Sequence, residues 1–328
     1  MDQLLYLACQ GCRPFCPLLL IWIAGVAQGY GIQQLQRTHA ERFAPQADKL
    51  HSAEQKAEAR LRENPSDVKA LLDLGLTRLR LGKVDAAIAD FRRAQEKEPA
   101  LAEVQTDLAY ALWTGGHVDD ALSAALAALL LDPNDASAHR YVGRLLLLQG
   151  GDRSVAIAHL EKAAQLNPEE TDAHFDLVMA YRSVGDPANA WAQLRLLQTE
   201  FTENEPRLLY VQGLLASDQG RSALAIDFFR RACSGTPSLG EAREALGIEL
   251  AQAGRWAEAL DVLEPAAKAD SQSFRVTYAY ALALMNTEHL AEAEEVARRA
   301  TSLNPGSAEA SALLNQIKAR MLSGRKRP

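Results

Sequence analysis

The residue types that could carry chemistry are few, and their spacing assembles no reaction. Cys9, Cys12 and Cys16 stand at C-x2-C-x3-C spacing close to the start of the chain. Thiolates so spaced could begin a zinc or iron–sulfur site, but such sites need a fourth ligand. None follows, no histidine is near and the neighbours are apolar, so no metal is expected there. The seven histidines, His39, His51, His117, His139, His159, His174 and His289, include no pair at metal-binding spacing with a Glu between them. Gly75 to Lys83 holds G-x6-G-K, which lacks the spacing and the hydroxyl of a phosphate loop. Cys233 has no histidine near it in sequence and reads as a small core residue. Ser234-Gly235-Thr236-Pro237 reads as a loop, not as a nucleophile turn. No catalytic residue, cofactor or metal is therefore expected.

Composition narrows the partners. The chain has 328 residues, 48% hydrophobic and 23% charged, which is enough apolar material for a large core. With 35 Lys+Arg against 42 Asp+Glu, the net charge is −7, and no general attraction to nucleic acid or anionic lipid is expected. Four cysteines exclude a disulfide scaffold.

The N-terminal segment reads as an export signal. Pro17 to Ala27 spell PLLLIWIAGVA, an 11-residue apolar run with Arg13 ahead of it. A bilayer crossing needs about 20 residues, so the run fits the central region of a signal peptide better than a span. Gly25-Val26-Ala27 offer the small residues that a signal peptidase reads, with cleavage expected after Ala27 or, as second choice, after Gly29. Residues 1–27 are thus expected to be a signal peptide, or a short membrane anchor covering 17–35 if retained, and 28–46 a tether. A third reading is that the segment is not translated. The expected location is the periplasm or cell envelope, with membrane contact only through this segment.

What must position any functional residue is a repeat. Ala87, Ala121, Ala156, Ala190, Ala225, Ala259 and Ala293 recur at spacings of 34, 35, 34, 35, 34 and 34. Within each unit the apolar residues fall in two helical bursts separated by a turn. In the first, Leu71, Leu74, Gly75 and Arg78 share one stripe, and Ala87, Phe91 and Ala94 the next. Pro99, Pro133, Pro168, Pro237 and Pro305 close five units, since proline cannot continue a helix. Short side chains (Gly75, Gly143, Gly213 and Gly247 on first helices; Ala94, Ala128, Ala163, Ala232, Ala266 and Ala300 on second helices) let helices approach beside larger Leu and Tyr residues. No alternating strand pattern is seen, so the fold expected is all-α.

This pattern resembles the tetratricopeptide repeat family. The resemblance covers Val68 to Ser307 and rests on the 34-residue period, small residues at the eighth, twentieth and twenty-seventh places, and proline at the thirty-second. The family's tryptophan at the fourth place is replaced, for example by His139 and His174. These two could lie near one another, but are read as packing residues, not a metal pair. The resemblance implies an α-solenoid of about seven helix–turn–helix repeats, at 68–101, 102–135, 136–170, 171–204, 206–239, 240–273 and 274–307. The flanks read as an N-terminal capping helix or degenerate half repeat at 47–67, a C-terminal capping helix at 308–322 and a basic tail at 323–328.

The resemblance also implies a concave face lined by the first helix of each repeat, and with it a protein or peptide partner. The groove places hold Lys69, Leu72 and Leu76, then Asp107, Tyr110 and Trp113, then Arg140, Tyr141 and Arg144. Phe175, Asp176, Met179 and Arg182 follow, then Arg207 and Tyr210, Glu244 and Gln252, and Arg275, Tyr278 and Met285. Tyr, Trp, Met and Arg are enriched in interface cores. The expected binding set is Tyr110, Trp113, Arg140, Arg144, Phe175, Met179, Arg182, Arg207, Tyr210 and Tyr278. The arginines are read as forks for a peptide's carboxylates. The asparagines of the family's chaperone-tail clamp are absent, which argues against that ligand. The function implied is a non-enzymatic interaction scaffold; the alternative is a regulatory or targeting subunit of an envelope enzyme such as a glycosyltransferase or peptidase.

Overall fold

Helix after helix stacks on its predecessor, because no repeat has enough apolar face to close a core alone. The computed structural model describes residues 47–201, 205–234, 240–268 and 272–324. The expected signal peptide, its cleavage site and the tether lie outside the described residues.

The described residues form sixteen α-helices and no strand. A leading helix α1 (Ala47–Glu63) precedes seven pairs. These are α2 (Val68–Arg80) with α3 (Val84–Lys97), α4 (Ala102–Thr114) with α5 (Val118–Leu131), and α6 (Ala136–Leu148) with α7 (Arg153–Leu166). Next come α8 (Thr171–Ser183) with α9 (Pro187–Glu200), and α10 (Pro206–Asp218) with α11 (Ser222–Ser234). The last pairs are α12 (Gly240–Gln252) with α13 (Trp256–Lys268) and α14 (Phe274–Asn286) with α15 (Leu290–Leu303), closed by α16 (Ala308–Gly324). Each pair falls within one expected repeat. The first helices α2 to α14 touch one another in succession as well as their own partners. They therefore form the inner, concave layer, and α3 to α15 the outer one.

Local chemistry sets the ends. Asp67, Asp135, Asp152, Asp186 and Ser273 cap α2, α6, α7, α9 and α14 by accepting a backbone N–H two or three residues on. Six of the turns inside the pairs use a left-handed glycine, from Gly82 to Gly254. The seventh uses Glu288 at φ 64°.

Small against large decides the spacing. The seven period-marking alanines are fully buried. A Cβ at Gly75 would lie 2.6 Å from the Phe91 ring, and one at Gly213 would lie 2.4 Å from Phe229. Those rings press on bare backbone, and both are buried.

Two expectations need correction. In the sixth repeat the buried small residue is Ala267, with Ala266 half-buried. Pro265 lies inside α13, where it lacks an N–H and crowds the carbonyl of Asp261, and after it the buried position moves on by one residue. The closing helix runs through Gly324, so Ser323 belongs to it and not to a tail. No breaker precedes Gly324, and Arg320 Nη1 donates to the Met285 carbonyl at 3.2 Å, tying the end of α16 to α14.

Candidate interaction groove

The centre of the inner layer is an aromatic cluster. Tyr110 and Trp113 sit three residues apart on α4 and so share a face; Tyr141 reaches them from α6. Tyr110 and Tyr141 are stacked with centroids 5.7 Å apart, and Trp113 lies 6.0 Å from Tyr110 and 6.2 Å from Tyr141. Guanidinium groups cover these rings: Arg144 lies 4.3 Å over Trp113 and Arg140 lies 5.0 Å over Tyr141. One step along, Arg207 lies 4.2 Å over Phe175. Such contacts stabilise by about 0.5–2 kcal/mol each, more as water is excluded.

The same arginines are joined to carboxylates of this chain. Arg144 Nη1 donates to Asp176 at 3.0 Å. Arg140 lies 2.9 Å from Glu170, 3.4 Å from Asp172 and 3.7 Å from Asp176. Arg207 reaches Asp172 at 2.8 Å. Arg182 holds Asp218 through both Nε and Nη2, the latter at 3.0 Å. Burial alone would raise the Asp172 pKa, but Arg207 and Arg140 outweigh it and hold the carboxyl below its ordinary value. For Arg182 burial wins, and its pKa falls to about 10 despite Asp218.

This places the expected residues in two groups. Trp113, Arg140, Phe175 and Arg182 are buried; Tyr110, Arg144, Met179, Arg207, Tyr210 and Tyr278 are half-buried along the inner face. The arginine forks face internal carboxylates, not open groove. Stacking puts the fifth and ninth places of one repeat against the second and sixth of the next, where Asp172 and Asp176 stand. Met179, Tyr210 and Tyr278 pack against the C-terminal part of the core. Burial lifts the Tyr210 pKa to about 12, so this phenol keeps its proton as a donor.

Sequence reasoning placed Asp107 in the groove without giving it a role. Its Oδ2 is buried and has no hydrogen-bond partner among the described residues. Burial foremost, then the charges of Glu103 and Asp135, push its pKa up to about 7. The Trp113 Nε1–H is likewise buried without a partner. The signal available in the sequence was the absence of a basic residue at the places that serve Asp176.

His139, His159 and His174 are structural. His139 Nδ1 lies 3.0 Å from His159 Nδ1, and its Nε2 lies 3.1 Å from the Pro133 carbonyl. His174 repeats the arrangement with Gln193 at 2.8 Å and the Pro168 carbonyl at 3.2 Å. These rings tie a first helix to its own second helix and to the preceding closing turn, and His139 and His174 do not pair with each other. Burial, helped by His139, holds the His159 pKa below its usual value. Among the described residues no three His, Cys, Asp or Glu gather as a metal site, and no helix is long and apolar enough to cross a membrane. Cys233 is half-buried against the C-terminal core, and burial raises its thiol pKa.

Seven stacked helical hairpins with a curved inner layer define an α-solenoid. A tetratricopeptide repeat model matches residues 46–102, 106–150 and 145–204, and another matches 250–317. The chain belongs to the tetratricopeptide repeat family. No curated protein matches it. Solved structures with a similar fold include the APC/C hetero-tetramer Cut9–Hcn1, 16% identical with a TM-score of 0.67, covering 82% of this chain and 52% of that one. A tetratricopeptide repeat protein from Parabacteroides merdae is 17% identical with a TM-score of 0.58, covering 76% of this chain and 98% of that one. Yeast Tom70 is 18% identical with a TM-score of 0.54, covering 85% of this chain and 60% of that one. The matches thus span 52% of the Cut9–Hcn1 chain and 60% of Tom70.

Proposed function

We propose that this chain is a non-enzymatic scaffold that holds a peptide segment or partner subunit against its inner face. The observation that carries the reading is the preorganised strip on α4, α6, α8 and α10. Its aromatic rings and guanidinium groups are fixed by the chain's own carboxylates before any guest arrives, which lowers the ordering cost of binding. The Cut9–Hcn1 structure is a hetero-tetramer, so a similarly folded chain is found in a protein assembly, in support of this reading.

Affinity capture by the full chain, followed by mass spectrometry, identifies the partner. Trp113→Ala and Arg144→Ala are expected to weaken capture roughly tenfold or more without loss of helicity, as for central aromatic and arginine anchors elsewhere. Glu294→Ala, on the outer helix α15, should leave capture alone. Groove variants that bind like the parent, beside a control that does not, would move the interface to the outer face.

The apolar run at 17–27 supports delivery to the cell envelope. Sequencing of the mature N-terminus should then begin at Gln28 or Tyr30; soluble cytoplasmic protein with Met1 intact overturns that proposal.

A further inference from the structure

The repeats can be compared with one another, and the comparison exposes a missing charge. Asp107 and Asp176 occupy the sixth place of the second and fourth repeats, and Glu103 and Asp172 the second place. In the fourth repeat the carboxylates are met by Arg140 and Arg144, from the fifth and ninth places of α6, and by Arg207, from the second place of α10. Around Asp107 those places hold Leu72 and Leu76 on α2 and Ser137 on α6. Asp107 is thus set like Asp176, but without the guanidinium groups.

Two orphaned polar atoms lie on this stretch of α4. Asp107 Oδ2 and Trp113 Nε1 are both buried and without hydrogen-bond partners among the described residues, and Trp113 is only 3% exposed. A buried carboxylate without a cation is costly, and so is a buried N–H without an acceptor. A partner's basic side chain would satisfy the first, and a main-chain carbonyl beside it the second. A metal ion fits poorly, because Asp135 is already engaged: its Oδ1 accepts from the Ala138 N–H, and its Oδ2 accepts from Thr106 at 2.5 Å.

We propose that Asp107 is the recognition point for an arginine or lysine side chain of the protein partner, which lies over Leu72 and Leu76 and takes the place that Arg140 and Arg144 fill beside Asp176. The proposal rests on the groove reading above and sharpens it. The apolar stem of the incoming side chain packs on half-buried Leu76, and its charged head meets Asp107 with Glu103 at the rim. Arginine is favoured, since its planar fork matches a carboxylate in two bonds. The chain's net charge of −7 favours encounter with a basic segment.

The test is selection of phage-displayed random linear peptides on the full chain, on Asp107→Asn and on Leu76→Arg. The last variant supplies the missing arginine from the ninth place, as Arg144 does in the third repeat; circular dichroism checks that both variants keep their helix content. Peptides selected on the parent are expected to share an Arg or Lys at one position. Their affinity by fluorescence polarisation should fall about tenfold or more on both variants, the usual cost of losing a central charged contact. In the Leu76→Arg chain, carboxyl carbon resonances should show Asp107 titrating well below its parent value. Selected peptides without a shared basic residue, or peptides that bind both variants as tightly as the parent, overturn the proposal. If Trp113→Ala still abolishes their binding, the groove reading stands without it. Selection of no peptide on any chain overturns both.

Discussion

Asp107 makes a physical demand that can be measured without a ligand. Burial, with Glu103 and Asp135, raises its pKa to about 7, so the folded chain retains a proton that the unfolded chain releases near pH 4. Stability from this group is therefore complete below about pH 4 and is lost as pH rises through about 7. Asp107→Asn removes the penalty, so its advantage over the parent should grow from pH 5 to pH 8 and reach about 2 kcal/mol, allowing for the group's partial exposure. Urea unfolding at the two pH values reads this directly, and an advantage independent of pH would contradict the burial. The aromatic and arginine residues of the groove were legible in the sequence because each recurs at a lining place. Their pairing was not. Whether Arg140 faces a guest or Asp172 depends on how closely α6 and α8 approach, and a periodicity read one repeat at a time does not carry that distance.

At the scale of a helical hairpin, the most informative element is the turn that breaks the pattern. Six hairpins turn through a left-handed glycine, and the α14–α15 hairpin turns through Glu288 at φ 64°. A side chain there costs about 1 kcal/mol relative to glycine's freedom. Its carboxylate lies 3.8 Å from Arg320 while 75% exposed, a pairing that contributes little. Glu288→Gly is therefore expected to stabilise the chain by roughly 0.5–1 kcal/mol after glycine's own entropy cost, read as a higher urea midpoint. A lower midpoint would mean that the contact to Arg320 matters more than the backbone. The hairpins themselves were readable because every repeat restates the same small residues. Pro265 shows the limit: the period places Ala266 in the core, but after the proline it is Ala267 that is buried there.

For the whole molecule, contact only between successive repeats makes the ends decisive. Leu313 and Ile317 of α16, the last of the described helices, are 3% and 0% exposed. Removing Ser307 to Pro328 would bare their partners on α14 and α15. The truncated chain is expected to lose its C-terminal hairpin or to self-associate, as seen by light scattering and a less cooperative thermal melt. A truncated chain as soluble and as stable as the parent would deny α16 its capping role. The seven hairpins and both flanking helices were foreseeable from period and polarity, since each follows from local pattern. The exact reach of α16 was not, because its end is held by the bond from its own Arg320 to the Met285 carbonyl of α14.

The inner layer is cross-linked unevenly, and this bears on how the molecule yields to force. Arg140, Arg144, Arg207 and Arg182 join α6 to α8 and α8 to α10 through directional ion pairs, and Ser217 joins α10 to α12 by a 2.6 Å bond to Glu249. Between α2, α4 and α6 the inner contacts are mainly apolar side chains and stacked rings, which slide at little cost, with the Thr106 hydroxyl bonded to the α6 cap Asp135 and Arg144 lying over Trp113. The coil is then a spring of two stiffnesses. We expect repeats three to five to keep their curvature as a rigid gauge, while the first two open and close around a guest. Small-angle scattering as ionic strength rises should report extension of the riveted part, because salt screens its ion pairs and leaves the apolar contacts of the first repeats in place.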